Sequence, residues 1–132
     1  MARYLSAEHV REINHMILAA EGAQSLLRDQ AALEAAVVRP QQYAFYQQSD
    51  LIDQAVALIL GIALNHPFVD ANKRTAAIAD DTFLRLNGLF IEPDAPTAYG
   101  ELILQAVTTD GSMRTHAEDQ LGIWLHNRTR EV

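Results

Sequence analysis

Cysteine is absent from the 132 residues of this chain, which excludes a disulfide framework and thiolate chemistry and fits a reducing compartment. Positive charge is scarce as well. Ten Lys and Arg stand against seventeen Asp and Glu, a formal net charge of −7. Direct nucleic-acid binding rests on clustered cations, so this balance argues against it, while a basic partner would be tolerated. Long apolar runs are also missing. The longest, residues 55–64, is about half of what a membrane-spanning helix needs. The opening MARYLSAEHVREIN mixes charges and lacks the apolar stretch of a signal peptide. The expectation is a cytoplasmic protein without a membrane partner. Apolar residues make up 49% of the chain and charged ones 20%, with no repeat or low-complexity tract. One domain spanning 1–132 is the simplest organisation, long enough for a proper core.

What the chain does have is concentrated in residues 65–76, NHPFVDANKRTA. An imidazole, a carboxylate, an amide, an ammonium and a guanidinium meet there between two helical patterns. Pro67 disfavours the helical conformation at His66, so the preceding helix should stop there. The next should start near Asn72, with Lys73 and Arg74 in its first turn, against the usual preference for acids at that end. An anion held by free backbone N–H groups is the natural explanation.

Helical periodicity accounts for most of the rest. Ser6 can cap a first helix striped by Val10, Ile13 and Ile17 and ended by Gly22. Asp29 can cap a second through Leu33, Ala36 and Val37, which Pro40 should stop. Residues 41–49, QQYAFYQQS, read as a short strand or hairpin, or as a surface loop. Asp50 then caps a helix apolar on most sides, a sign that other helices surround it. After the motif, Ala76, Ala79, Phe83 and Leu86 form one face, and Gly88 suits a left-handed C-cap. Residues 89–95 look like a connector. Thr97 can cap a fifth helix that Asp110 and Gly111 end, and Thr115 with Glu118 has the capping-box pattern for a sixth, with Leu121, Trp124 and Leu125 as its apolar face. The tail NRTREV should fray. The fold class is therefore all-α, a compact bundle of about six helices with one short flap hairpin as a possible addition.

The chemistry of the motif has functional and structural alternatives. His66, with an ordinary pKa near 6.5, suits proton abstraction from a hydroxyl, or simply a helix C-cap. Asp70 offers a hard carboxylate of the kind that holds Mg²⁺, or an N-cap, and both roles can coexist. Asn72, Lys73 and Arg74 would line an anion pocket suited to phosphoryl or nucleotidyl transfer, or form a solvated basic surface. Phe68 reads as a core anchor. His9, His15, His116 and His126 show no ligand spacing and should serve surface or cap roles.

HPFVDANKRTA resembles the Fic/Doc superfamily signature HxFx(D/E)(G/A)N(G/K)R, closest to the Doc branch, the toxins of bacterial and phage toxin–antitoxin modules. All seven specified positions match within residues 66–74, a specific signal. RDQAALEAAVVRP (28–40) and FLRLNG (83–88) are similar to the flanking family segments, and YLSAEHVREIN (4–14) more weakly so. The resemblance implies the Fic/Doc fold, with His66 as general base, Asp70 as magnesium ligand, and Asn72, Lys73 and Arg74 as phosphate binders. It places the family's target-binding flap after Pro40. Lys73 stands where AMP-transferring relatives have glycine, so the resemblance implies that the γ-phosphate of ATP is transferred, the family's target being a threonine of elongation factor Tu and the outcome a halt in translation. It further implies an antitoxin whose C-terminal segment binds as a helix.

Two departures stand out. Ala77 occupies the position of the second arginine of the AMP-transferring relatives, followed by Ile78. The inhibitory pattern (S/T)xxxE(G/N) is incomplete, since residues 17–22, ILAAEG, begin with isoleucine, so inhibition is expected in trans. Asp80 and Asp81 would weaken phosphate binding if either faced the pocket, although Asp81 is spaced to pair with Arg85 on the surface. A Doc-like kinase is the leading reading, with a Fic-type protein adenylyltransferase and a catalytically silent binding module as alternatives.

Overall fold

The helix α3 (Leu51–Asn65) is buried on nearly every side, as its continuous apolar sequence requires. A computed structural model describes residues 2–47, 50–92, 96–108 and 112–131. Around α3 stand α1 (Ala7–Ala20), α2 (Gln30–Gln47), α4 (Asn72–Leu86), α5 (Pro96–Thr108) and α6 (Ser112–Arg128). Among the described residues the fold is the expected all-α bundle of six helices. Two three-residue strands, β1 (Leu89–Ile91) and β2 (Thr129–Glu131), pair antiparallel with Phe90 opposite Arg130. The connector and the tail are thus tied to each other, and Arg130 meets Glu92 at 2.9 Å.

The helix starts follow their caps. Ser6 accepts from the His9 N–H while His9 Nδ1 accepts from the Ser6 N–H, both at 3.2 Å, a capping box closed by histidine instead of glutamate. Asp29 accepts from Ala32 at 3.0 Å and Asp50 from Asp53 at 2.8 Å. Gly22 and Gly88 have φ of 72° and 80°, where a side chain would be strained.

Several expectations need correction. Proline 40 does not stop α2, which continues to Gln47 with Pro40 inside it. The ring removes one helical donor, but Pro40 is buried and the α2–α3 contact outweighs that loss. Consequently residues 41–47, the expected flap, are helical, and the antiparallel strand pair lies elsewhere; residues 48 and 49 fall outside the described set. In α1 Val10 is buried as expected, but Asn14 and Leu18 are buried in place of Ile13 and Ile17, which are half-buried. In α4, Leu86 is exposed and Leu84 is buried instead. Finally, Thr115 lies inside α6, not at its start. Thr97 likewise lies within α5, and Asp110 and Gly111 are outside the described residues.

Packing is tightest where α2 crosses α3. A Cβ on Gly61 would stand 3.1 Å from both the Cα and the Cβ of Ala36, so a larger residue would have to push α2 outward by a few tenths of an ångström. Leu33, Ile59, Ile62, Phe68, Phe83 and Leu121 are sealed in one core, which places the motif loop directly on its surface. No helix among the described residues is long and apolar enough to cross a membrane.

Candidate active site

Asn65 closes α3 and Asn72 opens α4, so the expected helix break is present and is six residues long. His66 turns the chain out of α3 in the left-handed conformation, φ 47° and ψ 59°. Ala71 repeats the device at the entry to α4, with φ 64°. Left-handed residues without glycine are uncommon and persist only where the surroundings over-determine them.

The surroundings do so here. Phe68 is buried among the core side chains. Its N–H donates to Asn72 Oδ1 at 3.0 Å and its carbonyl accepts from Asn72 Nδ2 at 2.9 Å. Residues 26–29 run antiparallel to the loop, with the Arg28 N–H on the Pro67 carbonyl at 2.7 Å and the Val69 N–H on the Leu26 carbonyl at 3.0 Å. The Asn14 side chain, fully buried, donates to the Asp70 carbonyl at 2.9 Å and to Thr75 Oγ1 at 3.0 Å, and accepts from Ser25. Four elements therefore hold one short loop.

The loop encloses a pocket of about 430 Å³ lined by His66, Val69, Asp70, Ala71, Asn72, Lys73 and Arg74. All five polar side chains of residues 66–74 border this one space. Thr75 is the first α4 residue to make its helical hydrogen bond, to the Ala71 carbonyl, and no side chain caps α4. The N–H groups of Asn72, Lys73 and Arg74 are left for an anion, with the positive end of the helix dipole behind them. Asp70 is not the N-cap; Ala71 is. One carboxylate oxygen of Asp70 accepts the Ala71 N–H at 2.7 Å, and the exposed carboxylate retains a second oxygen for a cation.

The side chains divide by task. Asn72 is buried and engaged at both ends, so its side chain chiefly braces the loop. Lys73 and Arg74 are exposed. Arg74 forms an ion pair with Glu21, each side chain about half exposed. The glutamate of ILAAEG thus reaches the motif arginine although the string lacks its hydroxyl residue. Neither acid of α4 enters the pocket. Asp81 pairs with Arg85 at 2.9 Å as expected, while Asp80 is buried against the Tyr99 hydroxyl of α5 at 2.9 Å. Burial pushes the Asp80 carboxyl well above the usual carboxylate range, with Asp81 adding to the rise against the opposing Tyr99 hydrogen bond.

Three contributors escaped the sequence reading. Asn14 carried a signal, since it lies four residues from both Val10 and Leu18 on the buried face. Glu21 stood in the incomplete inhibitory pattern and Arg28 at the head of the segment similar to the family's upstream flank, but nothing local relates either to residues 65–74. A second cavity, about 560 Å³, opens between α2, α3 and α6 beside Asp53, Glu118, Asp119 and His126. It borders none of the motif residues. At its rim His126 stands 3.4 Å from Asp50, a surface pairing.

The sequence profile of the Fic/DOC family matches residues 4–84, and the chain belongs to that family. Within it the similarity is to Doc proteins. Toxin Doc of Mycolicibacterium smegmatis is 38% identical over 111 residues, 83% of each chain. Protein kinase doc of Escherichia phage P1 is 29% identical over 117 residues, 88% of this chain and 91% of its own.

Proposed function

We propose that this chain is a Doc-like toxin that transfers the γ-phosphoryl group of ATP to a threonine hydroxyl of a translation factor such as elongation factor Tu, arresting translation and growth. The observation that carries the reading is the uncapped start of α4, where three backbone N–H groups, Lys73 and Arg74 converge on a pocket shared with His66 and Asp70. Phosphoryl transfer needs mainly positioning and charge stabilisation, which this arrangement supplies. The names of the two relatives support a toxin and a kinase.

In this mechanism His66 accepts the proton of the target hydroxyl, whose oxygen bonds to the γ-phosphorus as the bond to the β-γ bridging oxygen breaks, leaving ADP. The α4 N–H groups hold the phosphate oxygens, and Lys73 and Arg74 balance their charge. Asp70 would hold Mg²⁺, a hard cation that takes one or two carboxylates with phosphate and water oxygens and neutralises developing charge. Its exposed second oxygen fits that role. Lys73 is central to the choice of group transferred, because its side chain fills the space that glycine leaves for nucleotide phosphates in AMP-transferring relatives. Control in the cell would come from an antitoxin whose C-terminal segment folds onto the toxin as a helix.

Induced expression of wild type and His66→Ala in a bacterial host tests the proposal, followed by mass spectrometry of elongation factor Tu treated with purified protein, ATP and Mg²⁺. Arrest and phosphothreonine with wild type alone are expected. A soluble wild-type protein that neither arrests growth nor modifies the factor refutes it, and an added AMP instead of phosphate replaces the kinase by a transferase of the other type.

A further inference from the structure

The exit from α3 lacks its usual closure. A helix ending in a left-handed residue is ordinarily sealed by the N–H of the following residue, which bonds back to the last turn. Here that following residue is Pro67, which has no N–H. His66 nevertheless adopts φ 47°, and a residue before proline prefers extended backbone. Asn65 Nδ2 donates to the Gly61 carbonyl at 2.9 Å, which leaves the bend itself, at the Asn65 and His66 carbonyls, to be held by something else.

Arg28 fills that place. Its Nε donates to the His66 carbonyl at 2.6 Å and its Nη2 to the Asn65 carbonyl at 2.7 Å. Two donors from one rigid guanidinium plane thus grip two successive carbonyls, and its positive charge lies at the negative end of α3. The backbone of the same segment doubles the grip, since the N–H groups of both Arg28 and Asp29 reach the Pro67 carbonyl, at 2.7 and 3.0 Å. The arginine is exposed, so it fills no part of the core, and its two side-chain hydrogen bonds both end on the peptide groups that flank His66. We propose that Arg28 is a positioning residue for His66: with no Pro67 N–H to close the turn, it grips the carbonyls on either side of His66, fixes the left-handed turn and so aims the imidazole into the anion pocket. Lysine cannot reproduce this, having one nitrogen where two separated donors are required.

The kinetic half of the test rests on the kinase reading, and the spectroscopic half does not. Labelled full-length wild type, Arg28→Lys and Arg28→Gln are compared by NMR through the His66 backbone shifts and its HN–Hα coupling, alongside Mg·ATP affinity and turnover on elongation factor Tu. In both variants the His66 signals should leave their left-handed values or broaden by exchange, with amide signals of the core unchanged. Turnover should fall at least about tenfold with the KM for ATP within about threefold, because the α4 N–H groups are untouched. Unchanged His66 backbone signals in both variants overturn the proposal, as does a changed His66 with wild-type turnover. If wild type itself transfers nothing, it is the kinase reading that fails, and the His66 signals alone decide whether Arg28 holds the turn.

Discussion

Asn72 and Phe68 exchange two hydrogen bonds across the motif loop, the carboxamide of one closing on the N–H and carbonyl of the other at 3.0 and 2.9 Å. A residue expected to bind phosphate through its side chain is thereby also the clasp of the loop. Asn72→Ala should lower the stability of the unliganded protein by about 2 kcal/mol, since two buried hydrogen bonds are lost and the Phe68 groups are left unsatisfied. Denaturant unfolding measures this. A variant as stable as wild type that merely binds ATP poorly would return Asn72 to a pure ligand role.

The Arg74 ion pair with Glu21 competes with any anion for the same guanidinium. Both groups are well solvated, so the pair is weak and screened by salt. Glu21→Gln should tighten Mg·ATP binding by about two- to fivefold, the equivalent of a surface pair of up to roughly 1 kcal/mol. The gain should shrink at high ionic strength. Titration calorimetry at two salt concentrations gives both numbers, and equal affinities of variant and wild type would show that Glu21 does not compete.

Asp80 introduces a pH dependence far from the pocket. Its folded pKa is raised by burial, and Oδ1 has no hydrogen-bond partner among the described residues. The stability associated with the neutral carboxyl is fully present below the unfolded pKa of about 3.9 and is lost as pH rises through the folded value. Asp80→Asn stays neutral and retains an oxygen for Tyr99. From pH 4 upward wild type should therefore lose stability relative to the variant, by at most about 1.4 kcal/mol per pH unit. Parallel thermal or urea unfolding of the two proteins from pH 4 to 8 tests it; a constant difference between them would show that Asp80 ionises normally.

The crossing of α2 and α3 leaves no room at Gly61, where the nearest atoms include the Ala36 backbone. Gly61→Val should destabilise the fold by about 1–3 kcal/mol, as overpacking does, despite removing a flexible glycine from a helix. Phosphate binding at the distant α4 start should be preserved in the folded fraction. Calorimetric unfolding of the variant is the check, and an unchanged midpoint would mean that α2 shifts at no cost.

Local chemistry determined much of this protein from sequence alone. The break at Pro67, the restart at Asn72 and the caps at Ser6, Asp29 and Asp50 depend on neighbours in the chain, so their residues announce them. The same holds for the motif itself, whose seven matched positions lie within nine residues, all but the core anchor Phe68 sharing one pocket after folding. Where a local rule met a stronger distant contact, the rule lost. Pro40 is a helix breaker, yet burial against α3 carries α2 seven residues past it. The tail is polar and short, yet a partner strand at residues 89–91 orders residues 129–131.

Only tertiary structure could decide which groups surround the motif. Asn14, Glu21 and Arg28 lie between 37 and 61 residues from the groups they contact around the motif, and no periodicity links positions so far apart. Whether Asp80 faced the phosphate site or the core was equally undetermined, because one helical turn serves either until α5 brings Tyr99 against it. The sequence determined the reactive groups and their spacing, since these are properties of a short segment. The fold decided their orientation, their partners and which of them remain free, since those depend on distant residues that meet only when the core closes.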